Sequence, residues 1–169
     1  MKNFSFTHNG EILWYSRSLA CGMIVFKLNE NNDSIISDVL INKRGQGCEF
    51  NKGKWNLPGG FIDFDEDGLD CAIRETKEEC GIDLSKQECN FFKLNTKPIG
   101  HRQTMSAYYY TILTHEEAEK LKLTNKFADP GEVDEIIWAS IRELDKYKLI
   151  NNQKEIILSC KDYIYDNFI

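Results

Sequence analysis

The first clear pattern along the chain is an apolar run at Cys21 to Leu28, in which Met23, Ile24, Val25 and Phe26 predict a strand. The polar stretch Asn29 to Ser34 turns the chain, and a second strand is expected near Asp38 to Asn42, the two forming a hairpin or lying side by side. A loop containing Gly45, Gly47 and Gly53 follows. In Trp55-Asn56-Leu57-Pro58-Gly59-Gly60, proline and paired glycines mark an abrupt bend, a feature that brings backbone close to a ligand.

The period then changes. From Asp67 to Cys80, Leu69, Ala72, Ile73, Thr76 and Cys80 recur at mostly three- and four-residue steps, which predicts a helix with Asp65 or Asp67 at its N-cap and Gly81 in the left-handed position beyond its end. Asn90 to Leu94 and Ser106 to Leu113 predict strands, and Thr114 to Glu117 is a capping-box pattern opening a short helix. Another strand is expected at Ile136 to Ala139, then a second capping box at Ser140 to Glu143. The spacing of Ile156, Ile157, Cys160, Ile164 and Phe168 predicts an amphipathic helix over Lys154 to Phe168. No repeat or linker interrupts this, so residues 1–169 are expected to form one α/β domain.

Composition narrows the picture. Hydrophobic residues at 41% and charged residues at 28% suit an ordinary globular protein with a packed core. The net charge of -6 disfavours a surface for long nucleic acid, where a basic stripe supplies much of the affinity, yet leaves room for a small anion held through a metal. The six cysteines form no C-x-x-C pair, which argues for free structural thiols over a zinc knuckle or a redox motif. Leu19, Ala20 and Cys21 loosely resemble the end of a lipoprotein signal, but His8, Asn9, Gly10, Glu11 and Arg17 interrupt any apolar segment before them. No run approaches a membrane span, so a cytoplasmic protein without membrane contact is expected.

The expected helix carries the chemistry. At 100° per residue Glu75, Glu78 and Glu79 share one arc, beside the arc of apolar positions. Glu75 meets like charges at i+3 and i+4, which costs an exposed helix about 0.2 to 0.5 kcal/mol per pair. Arg74 and Lys77 relieve part of this, so a solvated charged face is the plain alternative. The Gly59-Gly60 bend just before the helix shifts the balance, because backbone carbonyls beside clustered carboxylates make an oxygen-rich site suited to magnesium. Such an ion attracts phosphate to an otherwise acidic surface and activates water.

These residues fall in a larger pattern: Gly60, Glu66, then Arg74-Glu75-Thr76-Lys77-Glu78-Glu79-Cys80-Gly81-Ile82. The segment Gly60 to Ile82 resembles the Nudix box, G-x5-E-x7-R-E-U-x-E-E-x-G-U, with every fixed position matched. Thr76 is the soft fit, at a site more usually aliphatic. The resemblance implies a Nudix-type α/β/α sandwich with a mixed central sheet. It also implies a metal-dependent pyrophosphohydrolase acting on a nucleoside diphosphate linked to another moiety, such as ADP-ribose, a nucleotide sugar, a dinucleotide or a modified nucleoside triphosphate.

Residue by residue, the resemblance makes Glu75 and Glu79 the principal metal ligands, Glu78 an additional one and the Gly59 carbonyl a backbone ligand for Mg2+, with Mn2+ as a substitute. Arg74 orients Glu75, and Glu66 supports the loop or reaches a further metal through water. Outside the box, Glu132 or Glu135 in the acidic loop before Trp138 is a candidate further ligand or base, against a solvated loop. Arg44, His101 and Arg102 are candidate phosphate contacts, each weighed against an ordinary surface role. The expected partner is a small nucleotide, and relatives of this kind are commonly homodimers. A Nudix-fold sensor that binds without cutting, an isoprenoid diphosphate isomerase relative and an RNA-decapping enzyme are the alternatives.

Overall fold

The computed structural model describes residues 4–98 and 103–168. It opens with two strands that the hydrophobic pattern did not announce, β1 (Phe4–His8) and β2 (Glu11–Tyr15), paired antiparallel. Their connection is Asn9-Gly10, with φ of 49° and 85°, the pair of left-handed residues that a two-residue hairpin turn requires. Phe4, Phe6, Ile12 and Tyr15 stay exposed, so this ribbon lies outside the core.

The body is a mixed seven-stranded sheet. At its centre β3 (Leu19–Asn29) turns tightly into β4 (Asn32–Arg44), so the hairpin is longer than the apolar runs suggest. Next come β5 (Trp55–Asn56) and β6 (Gly59–Phe61), then the helix α1 (Gly68–Cys80). β7 (Asn90–Asn95) and β8 (Met105–Leu113) precede α2 (His115–Lys120), and β9 (Val133–Ser140) leads through a 3-10 turn, Ile141–Lys146, towards α3 (Gln153–Phe168). β3 runs parallel to β8 and antiparallel to β4 and β6, while β9 pairs with β4.

Strand alternation in β3 divides the interior in two. Ile24, Phe26 and Leu28 pack with Ile156, Ile157, Cys160 and Ile164 of α3; Cys21, Met23 and Val25 pack with Cys71, Ala72 and Cys80 of α1. The sheet therefore lies between α1 and α3, the expected α/β/α sandwich with a mixed sheet. Each fully buried Phe26, Ile24 or Met23 contributes about 1.5 to 3 kcal/mol relative to exposure.

Helix ends follow the sequence with one exception. Asp67 caps α1 by accepting from the N–H groups of Leu69 and Asp70, and Gly81 closes it at φ 77°. Thr114 and Glu117 form the full capping box of α2. Ser140 makes no side-chain cap bond, because it still pairs with Asp38 as the last residue of β9 and the chain continues as a 3-10 turn. Leu69 and Ile73 are half-buried against the core rather than enclosed. Phe168 is exposed, its ring set edge-on to that of Tyr163. All six cysteines are free, and no described helix is long and apolar enough to cross a membrane.

Candidate active site

The bend at Pro58 to Gly60 enters the sheet as β6 against β3, with Gly59 opposite Gly22 and Gly60 opposite Cys21. A Cβ on Gly59 would lie 2.3 Å from the Cys21 carbonyl oxygen, and one on Gly60 would lie 2.2 Å from Glu75 Oε1. Gly59 lets β6 close on β3, and Gly60 lets α1 bring Glu75 against β6.

On that face Arg74 acts as a clasp. It donates from Nε and Nη2 to the two oxygens of Glu66 at 2.8 and 3.0 Å, and from Nη1 to Glu75 at 2.8 Å and Glu78 at 3.1 Å. Nη2 also reaches the Phe61 carbonyl at 3.2 Å, and Glu66 accepts the Asp63 N–H at 3.1 Å. The guanidinium holds the Glu66 carboxyl below its usual range and ties the loop before the helix to the helix itself. Thr76, at the softly matching position, is fully buried and donates to the Ala72 carbonyl at 2.6 Å, which lets a hydroxyl occupy an apolar site.

Glu79 stands apart from the clasp. It is 2% exposed and accepts from Gly59 N–H at 2.9 Å and Asn42 Nδ2 at 3.0 Å, both neutral donors. Burial pushes its carboxyl up to about 8, with Glu75 and Glu132 adding to the rise. The Glu75 carboxyl is also raised, first by burial, then by Glu78 and Glu132, although Arg74 opposes this.

The acidic end opens into a cleft of about 440 Å³ whose walls include Gly59, Gly60, Arg74, Glu75, Glu132, Arg44 and Tyr108. The loop before β9 thus brings Glu132 to the same cleft, its side chain bonded to Asp129 N–H and its carbonyl to Gly45 N–H. Glu135 is not brought there; it points from β9 towards Lys43, 3.7 Å away. Arg44 lines the cleft and donates to the Phe50 carbonyl at 3.1 Å. His101 and Arg102 lie outside the described residues.

The donors are all oxygen, as a hard cation prefers, and the carboxyls of Glu75 and Glu79 are raised first by burial and then by their acidic neighbours, a cost to the charged forms that a divalent ion would offset. Among the described residues no three His, Cys, Asp or Glu side chains already converge on one point. Arg74 accounts for this, since it holds Glu75 and Glu78 while Glu79 is held separately by Asn42 and Gly59. The donor chemistry fits a metal once the carboxylates turn from these partners. Asn42, Asn56 and Gln153 are buried polar residues that sequence patterning missed, since a single polar position within a strand or at a helix start carries no periodic signal.

Comparison with known proteins agrees with this architecture. The m7GpppN-mRNA hydrolase of Saccharomyces cerevisiae is 27% identical over 146 residues, covering 86% of this chain and 13% of the relative. The asymmetrical bis(5'-nucleosyl)-tetraphosphatase of Mus musculus is 35% identical over 69 residues, 40% of this chain and 44% of the relative. The chain thus spans less than half the length of both curated relatives. A MutT/nudix family protein from Enterococcus faecalis shares the fold with a TM-score of 0.71 at 21% identity, covering 90% of this chain and 63% of that one. The NUDIX domain model matches residues 19–160, from the central strand through the acidic helix to α3, and with that span the chain belongs to the Nudix family.

Proposed function

We propose that this Nudix hydrolase cleaves the phosphoric anhydride bond of a small nucleoside diphosphate derivative, with Mg2+ or Mn2+ held by Glu75, Glu78 and Glu79 and the Gly59 carbonyl. The observation that carries the reading is Glu79, a buried carboxyl group fastened by neutral donors, one of them the N–H of Gly59, which lines the cleft beside Glu75. The bound ion supplies charge neutralisation at the phosphate oxygens and lowers the pKa of water. Arg74 positions Glu75 and Glu78, and Glu66 fixes Arg74. Glu132, across the cleft, orients the attacking water, and Arg44 meets phosphate oxygens.

Dinucleoside polyphosphates enter the substrate class through the likeness to the mouse tetraphosphatase. A capped RNA end is the second reading, favoured by the alignment of most of this chain with the yeast mRNA hydrolase; the net charge of -6 weighs against extended RNA contact. The test is product analysis on ADP-ribose, nucleotide sugars, dinucleoside polyphosphates, oxidised nucleoside triphosphates and a capped oligonucleotide, with magnesium, manganese or chelator. Metal-dependent cleavage of a small nucleotide is expected. Binding without cleavage across the panel would replace the hydrolase with a sensor, and cleavage of the capped oligonucleotide alone would establish the second reading.

A further inference from the structure

Leu57, between β5 and the glycine bend, is gripped at both ends of its main chain by side-chain amides. Its N–H donates to Gln153 Oε1 at 2.9 Å, and its carbonyl accepts from Asn56 Nδ2 at 2.7 Å. These bonds fix which end of each amide faces onward: the oxygen of Asn56 and the NH2 of Gln153. Asn56 is 2% and Gln153 8% exposed, so neither is a solvated surface group, and both line the cleft.

Asn56 Oδ1 is buried and, among the described residues, accepts no hydrogen bond. A buried acceptor left without a donor is costly, and an orphan of this kind in a native fold calls for a ligand or an ordered water. Ile150 and Tyr108 also line this cleft and offer aliphatic and aromatic surface to a flat ring. Asn56 and Gln153 lie on β5 and α3, elements separate from the acidic helix, so they are free to recognise a part of the substrate other than the scissile phosphates.

We propose that Asn56 and Gln153 form the nucleobase subsite and determine base specificity, an inference that rests on reading the cleft as a nucleotide site. Asn56 Oδ1 accepts from an amino or ring N–H of the base, and Gln153 Nε2 donates to the neighbouring ring nitrogen or carbonyl. Adenine and cytosine carry an amino donor and then a ring-nitrogen acceptor along the pairing edge, guanine and uracil a carbonyl acceptor and then a ring N–H donor. A fixed acceptor beside a fixed donor therefore selects between the two orders, and planar amides match that edge in shape. Leu57 serves as the rigid frame that holds the two amides in register.

The test is calorimetric titration of the full chain, in magnesium buffer, with AMP, GMP, CMP, UMP and ribose 5-phosphate. One nucleotide should bind at least about tenfold more tightly than ribose 5-phosphate, and Asn56→Leu should shrink that margin to about threefold or less while leaving ribose 5-phosphate unchanged. With a cleavable substrate of the same base, KM should rise and kcat should hold. Wild-type protein that shows no base preference, or Asn56→Leu that keeps it, overturns the proposal. Should the variant not fold, an analogue of the preferred nucleotide lacking the exocyclic groups of its base tests the wild type directly. A loss of about tenfold supports the subsite and equal binding overturns it. Collapse of the base margin without cleavage of any anhydride would retain the subsite and remove the hydrolase; metal-dependent cleavage with the margin intact in Asn56→Leu would do the reverse.

Discussion

Replacing Glu79 with glutamine should make the metal-free protein more stable at alkaline pH while removing its metal-dependent turnover. Burial raises the Glu79 carboxyl from an ordinary 4.5 to about 8, against the opposing bonds from Gly59 N–H and Asn42. Between those values the folded protein keeps a proton that the unfolded chain has released. Stability therefore falls as pH rises through that window and levels off above about 8. About 3.5 pH units at about 1.4 kcal/mol each make the full loss about 5 kcal/mol. The amide of the Glu79→Gln variant has no charge to bury, and its side-chain oxygen still accepts from both donors.

Urea unfolding in chelator is the assay. Wild type and variant should lie close together near pH 5, and the variant should be ahead by several kcal/mol near pH 9. Adding magnesium should restore the wild type increasingly with pH, as the carboxylate form becomes available, and should leave the variant nearly unmoved. Parallel pH dependence of the two proteins in chelator would show that Glu79 does not hold its proton in the fold.

Arg74→Lys keeps the charge but cannot hold Glu66 through two bonds while reaching Glu75 and Glu78, so kcat should fall by at least about tenfold; steady-state kinetics beside a thermal melt would separate this from unfolding. Gly60→Ala places a methyl 2.2 Å from Glu75 Oε1, a side-chain end that can swing aside. Turnover should drop with a stability loss of about 1 kcal/mol or less, and full activity would argue that Glu75 has no fixed role. Thr114→Ala should cost about 1 kcal/mol through loss of the α2 cap, whereas Ser140→Ala should cost under about 0.5 kcal/mol because no cap bond exists. Chemical denaturation of the pair checks the contrast.

What the sequence determined by itself was whatever is encoded locally. Alternation and apolar runs located β3, β8 and β9 to within a few residues and the C-terminal half of β4, whose polar start at Asn32 carries no such pattern, and helical spacing with Asp67 and Gly81 located α1 nearly to its ends. The box spacing placed Glu66, Arg74, Glu75 and Glu78 within one clasp's reach, since a helix puts i and i+4 side by side and the loop before it is short. The first hairpin was also written locally, in Asn9-Gly10, a turn signal that the hydrophobic pattern alone does not register.

Tertiary structure decided what depends on packing between distant segments. Glu132 meets the cleft because the loop before β9 carries it there, tied by its carbonyl to Gly45 N–H, whereas Glu135 sits opposite Lys43 in the β4–β9 register and turns to that lysine. Ser140 lost its cap to the same pairing. Glu79 is singled out from its acidic neighbours only because the Gly59 bend and Asn42 of β4 close over it, burying one carboxylate of three. Asn56 and Gln153 meet across the Leu57 backbone only when α3 folds onto the sheet, and no pattern in the chain encodes a partnership between side chains so far apart in sequence.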